Sequence, residues 1–229
     1  MTGEIENRET AQKIDGALIR IIGTDGTNLK MRADGGRFQL KLKPETEYVI
    51  AAFKDGFLND KALASTIGLE DSKEFRFQFK LAPTDEPIKV NNINYAFGSY
   101  EITEESKVAL DSVVHLLTLN PTIIIELMAH TDHVGSNDFN SELSQKRAQS
   151  VVDYMISKGI NAARLVAKGY GETWPKRITR EIARQYDFLK RNDELTEELI
   201  MKLTPEQQEI AKGLNRRTEF RVLSNDFHE

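Results

Sequence analysis

The residues best equipped for chemistry lie between Ala129 and Ala148, in the run A-H-T-D-H-V-G-S-N-D-F-N-S-E-L-S-Q-K-R-A. An apolar run ends at Met128, a polar loop containing Gly135 follows, and helix-forming sequence begins near Ser141. A loop that follows a central strand of an α/β layer is where a rigid scaffold presents ligand-binding groups. Asp132 lies in this loop. Arg147 stands fifteen positions later, about two turns into the helix. A carboxylate and a guanidinium can therefore face one cleft. The plain alternative is an ion pair stapling loop to helix, but an exposed pair contributes only about 0–1 kcal/mol. His130, Asp132 and His133 have the ligand types of a zinc site. They sit on a loop with no further ligand at a telling spacing, so no metal is assigned, and His130 is read as supporting the loop through hydrogen bonds. Ser141 and Ser144 fall in no G-x-S-x-G or S-x-x-K frame. No catalytic residue and no cofactor is assigned, and the chain is not read as an enzyme. Gly169-Tyr170-Gly171-Glu172 lacks the Lys-Ser/Thr of a phosphate loop and reads as a turn.

The elements that must position these groups are legible as two regions. Residues 1–13 hold few large apolar side chains and read as a flexible end. From residue 14 to 82, short strands alternate with turns. The strand candidates are 17–22, 29–32, 37–42, 48–52 and a run containing Phe75, Phe77 and Phe79 on one face. This spacing predicts a small β-sandwich. The prolines and acids of 83–87 mark a linker.

Residues 88–224 change period. A strand is expected over 88–97 with a bend at Asn91-Asn92, then a helix capped by Thr103 with Leu110, Val113, Val114 and Leu117 on its inner face. An apolar central strand over 123–128, a helix over 141–158, a strand over 164–168 and a last strand over 218–223 follow. The fold class is α+β: the sandwich, then a β-α-β-α-β-β two-layer α/β sandwich. Residues 173–214 form a charged helical insertion, with Thr204-Pro205-Glu206-Gln207 as a helix start. Its plain reading is a solvated face.

Composition narrows the function classes. The 229 residues carry 31 Lys and Arg against 36 Asp and Glu, a net charge of -5, which argues against nucleic acid as partner. Cysteine is absent, which excludes disulfides, thiolate metal sites and a Cys nucleophile. No run approaches the roughly 18 apolar residues of a membrane span, and the polar, acidic start lacks the features of a signal peptide.

The pattern H-T-D-x-x-G-x-x-x-x-N-x-x-L-S-x-x-R-A-x-x-V, followed by G-Y-G-E and by Asn215-Arg216-Arg217, resembles the C-terminal domain of OmpA-like proteins. That group includes peptidoglycan-associated lipoproteins and flagellar-motor stator proteins. Residues 14–81 resemble, more weakly, the carboxypeptidase regulatory-like β-sandwich, a pairing similar to envelope proteins linked to type IX secretion. The resemblance implies non-covalent binding of peptidoglycan through the diaminopimelate of its stem peptide. It implies Asp132 for the ligand's ammonium, Arg147 for its carboxylate, and Asn140, Leu143 and Arg216 around the same pocket. The chemistry fits. Diaminopimelate ends its side chain in an amino-acid head, and such a zwitterion is held by one carboxylate and one guanidinium. Backbone N–H groups near His133 and Val134 are expected to add donors. Two departures from the family pattern stand out: Tyr95-Ala96-Phe97-Gly98 offers no acid or amide beside the first strand's aromatic, and the insertion is long. The implied setting is periplasmic and outer-membrane associated, anchoring an assembly to the cell wall. The alternatives are an interaction module of a secretion machinery with envelope protein partners and, behind it, a peptidoglycan hydrolase.

Overall fold

Short alternating segments pair into two sheets in the first half of the chain, and longer apolar runs pair into a third sheet in the second half. The computed structural model describes the chain except residues 86, 91, 92, 94, 96, 97 and 229. Two compact units emerge: Met1–Glu86 with His115–Pro121, and Pro87–Val114 with Thr122–Glu229. The fold class is α+β.

The first unit contains β1 (Thr2–Asn7), β2 (Leu18–Gly23), β3 (Asn28–Arg32), β4 (Arg37–Gln39), β5 (Glu47–Phe53), β6 (Asp60–Ser65) and β7 (Arg76–Leu81). One sheet runs β4-β1-β7 and the other β3-β2-β5-β6. They share a core of Ile5, Ile19, Ile21, Ile50, Phe79 and Leu81. Burying such side chains is the main stabilising term, at about 1.5–3 kcal/mol each. The flexible end expected over residues 1–13 is corrected here. Residues 2–7 are the middle strand of their sheet, antiparallel to β4 and parallel to β7, with Ile5 wholly buried. Its signal is backbone pairing, which leaves no mark in the side-chain pattern. Strand β6 was not foreseen, and β4 stops at Gln39 rather than at residue 42. Of the phenylalanine row only Phe79 is fully buried; Phe75 and Phe77 are half-buried and stack on each other.

The second unit holds β8 (Ile88–Lys89), the part of α1 (Glu104–Leu119) up to Val114, β9 (Ile124–His130), α2 (Asn137–Ser157), β10 (Leu165–Gly171), α3 (Arg180–Gln185), α4 (Glu197–Ile200), α5 (Pro205–Asn215) and β11 (Thr218–Ser224). The sheet order is β10-β9-β11-β8. β9 and β10 are parallel, joined through α2, while β11 is antiparallel to β9 and β8. Thr103 caps α1, accepting from the Ser106 N–H at 3.3 Å, and Leu110, Val113 and Leu117 are buried. The bend expected at Asn91-Asn92 lies outside the described residues, as do Ala96 and Phe97.

Two expectations change in ways that matter for the site. Helix α2 starts at Asn137, capped by Ser136, so the polar loop is shorter than read and Asn140 sits in the first helical turn. Gly169-Tyr170-Gly171 is not a turn but the end of β10, with a register shift between its two glycines. The glycines let strand and helix touch. Gly169 donates its N–H to Gln145 Oε1 at 2.8 Å, and Gly171 donates to Ser144 Oγ at 2.8 Å. A Cβ on Gly169 would meet the Gln145 backbone, 2.6 Å from its Cα. The insertion also departs from a merely solvated face. Ile178, Leu189, Leu195, Ile200 and Ala211 form a small core of their own. Thr204 and Gln207 complete a capping box at the start of α5.

Substituting Gly169→Ala must push β10 and α2 apart, and is expected to cost about 1–3 kcal/mol. Urea unfolding followed by the fluorescence of Trp174, the only tryptophan, checks this. An unshifted midpoint would mean that this close approach carries no strain.

Candidate functional site

The ends of β9 and β10 and the start of β11 meet beside the first turns of α2. His130 N–H donates to Arg217 O at 2.9 Å, and Thr131 N–H donates to Gly171 O at 2.9 Å, so ladder bonds hold the chain up to the loop. The loop then turns at Gly135, whose φ of +115° favours glycine. Asn140 clamps it. Its Nδ2 donates to Asp132 O at 3.2 Å, to Val134 O at 3.3 Å and to Glu172 Oε2 at 2.5 Å.

Asp132 is buried. Its Oδ1 accepts from the Val134 N–H at 3.0 Å, and its Oδ2 pairs with Arg216 Nη1 at 2.5 Å. The Val134 donor expected for a ligand is thus occupied by Asp132 itself. Arg147 lies on α2 and is 8% exposed. Its Nε donates to Ser99 O at 2.9 Å, and its guanidinium sits 4.6 Å over the Tyr95 ring. Among the described residues it has no ion-pair partner. Burial pushes its pKa below the ordinary arginine value, Tyr95 and Asp132 oppose that shift, and Arg216 adds to it.

Arg147 and Arg216 line one cavity of about 230 Å³ together with Tyr95, His130, Arg217 and Thr218. Among the described residues three guanidiniums and no carboxylate form its wall, so it suits an anionic group. Asp132 reaches it through Arg216. Asn140, Leu143, His133 and Val134 do not line it. Asn140 shapes the loop, and Leu143 is half-buried one turn before Arg147 on α2. His133 is half-buried with Nδ1 unpartnered, while Val134 is exposed.

A second charged group backs this wall. Glu219 accepts from Lys176 Nζ at 2.6 Å and stands 3.0 Å from Arg217 Nε. Burial raises its pKa, but Arg217 and Lys176 outweigh burial and the net shift is downward. His130 Nε2 lies 3.7 Å from Glu219, beyond hydrogen-bond reach, and among the described residues neither imidazole nitrogen has a hydrogen-bond partner. The reading of His130 as a hydrogen-bonded loop support is therefore corrected. Its ring stacks on Tyr170 at 5.3 Å and meets the edge of Trp174. Burial first, then the charge of Arg217, drives its pKa down to about 3. Sequence reasoning did not single out Tyr95, Arg217 and Thr218 as cavity residues. Arg217 stood in plain view beside Arg216.

Residues 94–187 match the model of the OmpA family. The match spans Asp132 to Arg147 and stops before Arg216. Outer membrane protein A of Shimwellia blattae is 39% identical over 87 residues, which are 37% of this chain and 36% of that protein. Photosystem I P700 chlorophyll a apoprotein A2 of Gloeobacter violaceus is 33% identical over 117 residues, 50% of this chain and 13% of that one. The chain thus spans only a small part of the curated relatives it matches. Among solved structures, the peptidoglycan-associated lipoprotein from Burkholderia pseudomallei is similar over 57% of this chain and 87% of that chain, with a TM-score of 0.41 and 21% identity.

The buried neutral His130 gives a pH prediction. Its folded-state pKa of about 3 lies below the unfolded value of 6.5. Between those values the unfolded chain binds a proton that the folded chain refuses. Stability is complete above roughly pH 6.5 and falls as pH drops, by about 2 kcal/mol at pH 5. Urea midpoints read through Trp174 are expected to fall between pH 7 and pH 5, and His130→Phe should remove most of that dependence. A wild-type midpoint that does not move over this range would contradict it.

Proposed function

We propose that the second unit binds peptidoglycan without bond-making, by holding the zwitterionic head of diaminopimelate in the stem peptide. The observation that carries this reading is Arg147. A guanidinium taken out of water without a carboxylate is costly, yet this one is 8% exposed and lines a cavity whose wall, among the described residues, holds no acid. A ligand carboxylate supplies the missing counter-charge, and Arg147 offers the planar fork that binds it. Asp132 takes the ammonium on the same carbon. Its oxygens keep lone pairs beyond those used by Val134 and Arg216, and Arg216, half-exposed at the rim, can swing. Asn140 fixes the loop, and Leu143 on the preceding turn of α2 contributes apolar surface.

In this reading residues 88–224 are the wall-binding domain, set in the periplasm at the outer membrane, and residues 14–82 are a carboxypeptidase regulatory-like sandwich carried with it. Among the described residues no helix is long and apolar enough to cross a membrane.

Purified sacculi should retain the wild-type protein in a pull-down. Arg147→Ala and Asp132→Ala should each lose most binding while keeping their circular dichroism. Two variants that bind like wild type would place the ligand elsewhere. Added salt should weaken binding, but less than for a fully exposed pair, because both charges are buried.

A further inference from the structure

In the first unit, the outward face of the sheet β3-β2-β5-β6 has no task in the fold or in the reading above. Residues directly opposite one another on paired strands share a face. The register sets Ile22 opposite Val49, and Val49 opposite Leu63, so a row of aliphatic side chains crosses three strands. Their strand neighbours Ile21, Ile50 and Ala64 are buried, whereas Ile22, Val49 and Leu63 are 43%, 40% and 69% exposed. A single exposed aliphatic residue is ordinary. Three side by side make a contiguous apolar patch, the kind of surface that marks an interaction site. The row borders a hollow of about 530 Å³ that Thr24, Glu47 and Ser65 also line. Two positions along the strands, a second row follows. Arg20 stands opposite Lys30 on β3 and Ala51 on β5, and Ala51 stands opposite Lys61 on β6. Arg20, Lys30 and Lys61 are exposed, and none has an ion-pair partner among the described residues. Elsewhere in the unit, Lys13 and Arg37 meet Glu4, Lys43 meets Asp25 and Arg76 meets Glu74.

We propose that this face docks an acidic protein segment carrying bulky aliphatic side chains. Ile22, Val49 and Leu63 take the aliphatic groups, one of them seated in the hollow, and Arg20, Lys30 and Lys61 meet carboxylates along one flank of the row. The proposal does not depend on the stem-peptide reading. Charge complementarity selects this occupant. A second copy of the same face would meet three unpaired cations with the single acid Glu47, and like charges facing each other across an interface are costly. An anionic bilayer would suit the cations. But a hollow is filled by a side chain rather than by a flat layer of headgroups, and Glu47, exposed on the other flank of the row, would face those headgroups. An acidic segment with protruding aliphatic side chains satisfies both rows at once.

The probe is a synthetic peptide of glutamates with leucines at every third or fourth position, labelled with a fluorophore and titrated with the full chain at low salt. Binding is read as fluorescence anisotropy. Wild type should bind it, and should bind a peptide with lysines in place of the glutamates about tenfold more weakly or less still. Arg20→Glu combined with Lys61→Glu should weaken the glutamate peptide about tenfold or more and strengthen the lysine peptide. Val49→Gln combined with Leu63→Gln should weaken the glutamate peptide while leaving the salt dependence of what binding remains. Arg191→Glu, an exposed charge reversal in the second unit, should change nothing. All these side chains are exposed, so each variant should keep the wild-type circular dichroism. No binding of the glutamate peptide by wild type, or binding that the Arg20/Lys61 and Val49/Leu63 variants leave unchanged, would overturn the proposal. So would co-sedimentation with phosphatidylglycerol vesicles, or a dimer in light scattering, that is lost in the same variants, because the face would then belong to a bilayer or to a second copy.

Discussion

A guanidinium held in the interior with no ion-pair partner among the described residues constrains the cavity around it. Desolvating a charge is unfavourable unless other groups compensate. At Arg147 the compensation is partial: the Tyr95 ring face, one carbonyl from Ser99 and the field of Asp132. The two neighbouring arginines differ. Of three guanidiniums on one wall, Arg216 pairs with Asp132, Arg217 shares Glu219 with Lys176, and Arg147 has no ion-pair partner among the described residues. The wall therefore carries more positive charge than its paired acids balance.

Keeping Arg147 there requires that α2 not move. The helix is fastened to the edge strand by contacts that only glycine permits. Gly169 and Gly171 of β10 bring their backbone against Ser144 and Gln145, within one turn of Arg147. The loop carrying Asp132 is tied to the same helix through Asn140. Acid and base are thus fixed relative to one another by hydrogen bonds between side chains and backbone, not by attraction between them. The insertion joins the same frame. Asn215 is buried, accepts from the Lys176 N–H at 2.8 Å and donates to Leu195 O at 2.8 Å. It anchors the three-helix segment immediately before Arg216 and Arg217. Lys176 at the other end of the segment reaches Glu219. The insertion therefore helps to set the charge balance behind the cavity.

Much of this was legible beforehand, and the failures have physical causes. Helical periodicity located α1 and α2, and a continuous apolar run located β9, because the one buries a stripe and the other both faces. Both signals missed β1, whose place rests on ladder bonds to two partners and a single buried isoleucine. Turn chemistry misread Gly169-Tyr170-Gly171, because glycine signals a turn in isolation and a close backbone approach in context. Asp132 and Arg147 were visible as charges at telling positions, and Arg216 only through the family resemblance. His130 was visible too, but its surroundings were not: a histidine ending an apolar strand looks alike whether its nitrogens are bonded or bare.

What the amino-acid order determined by itself was the inventory: which side chains bear charge, which segments alternate, and where an acid and a base stand fifteen residues apart on loop and helix. Only tertiary structure decided which charges neutralise each other. Pairing depends on distance and burial, and these are set by strands and helices far apart in the chain. Arg216 comes to Asp132 from 84 residues away, and Arg221 comes to Glu126 from 95. Arg147, far closer to Asp132 in sequence, is the one left without a partner among the described residues.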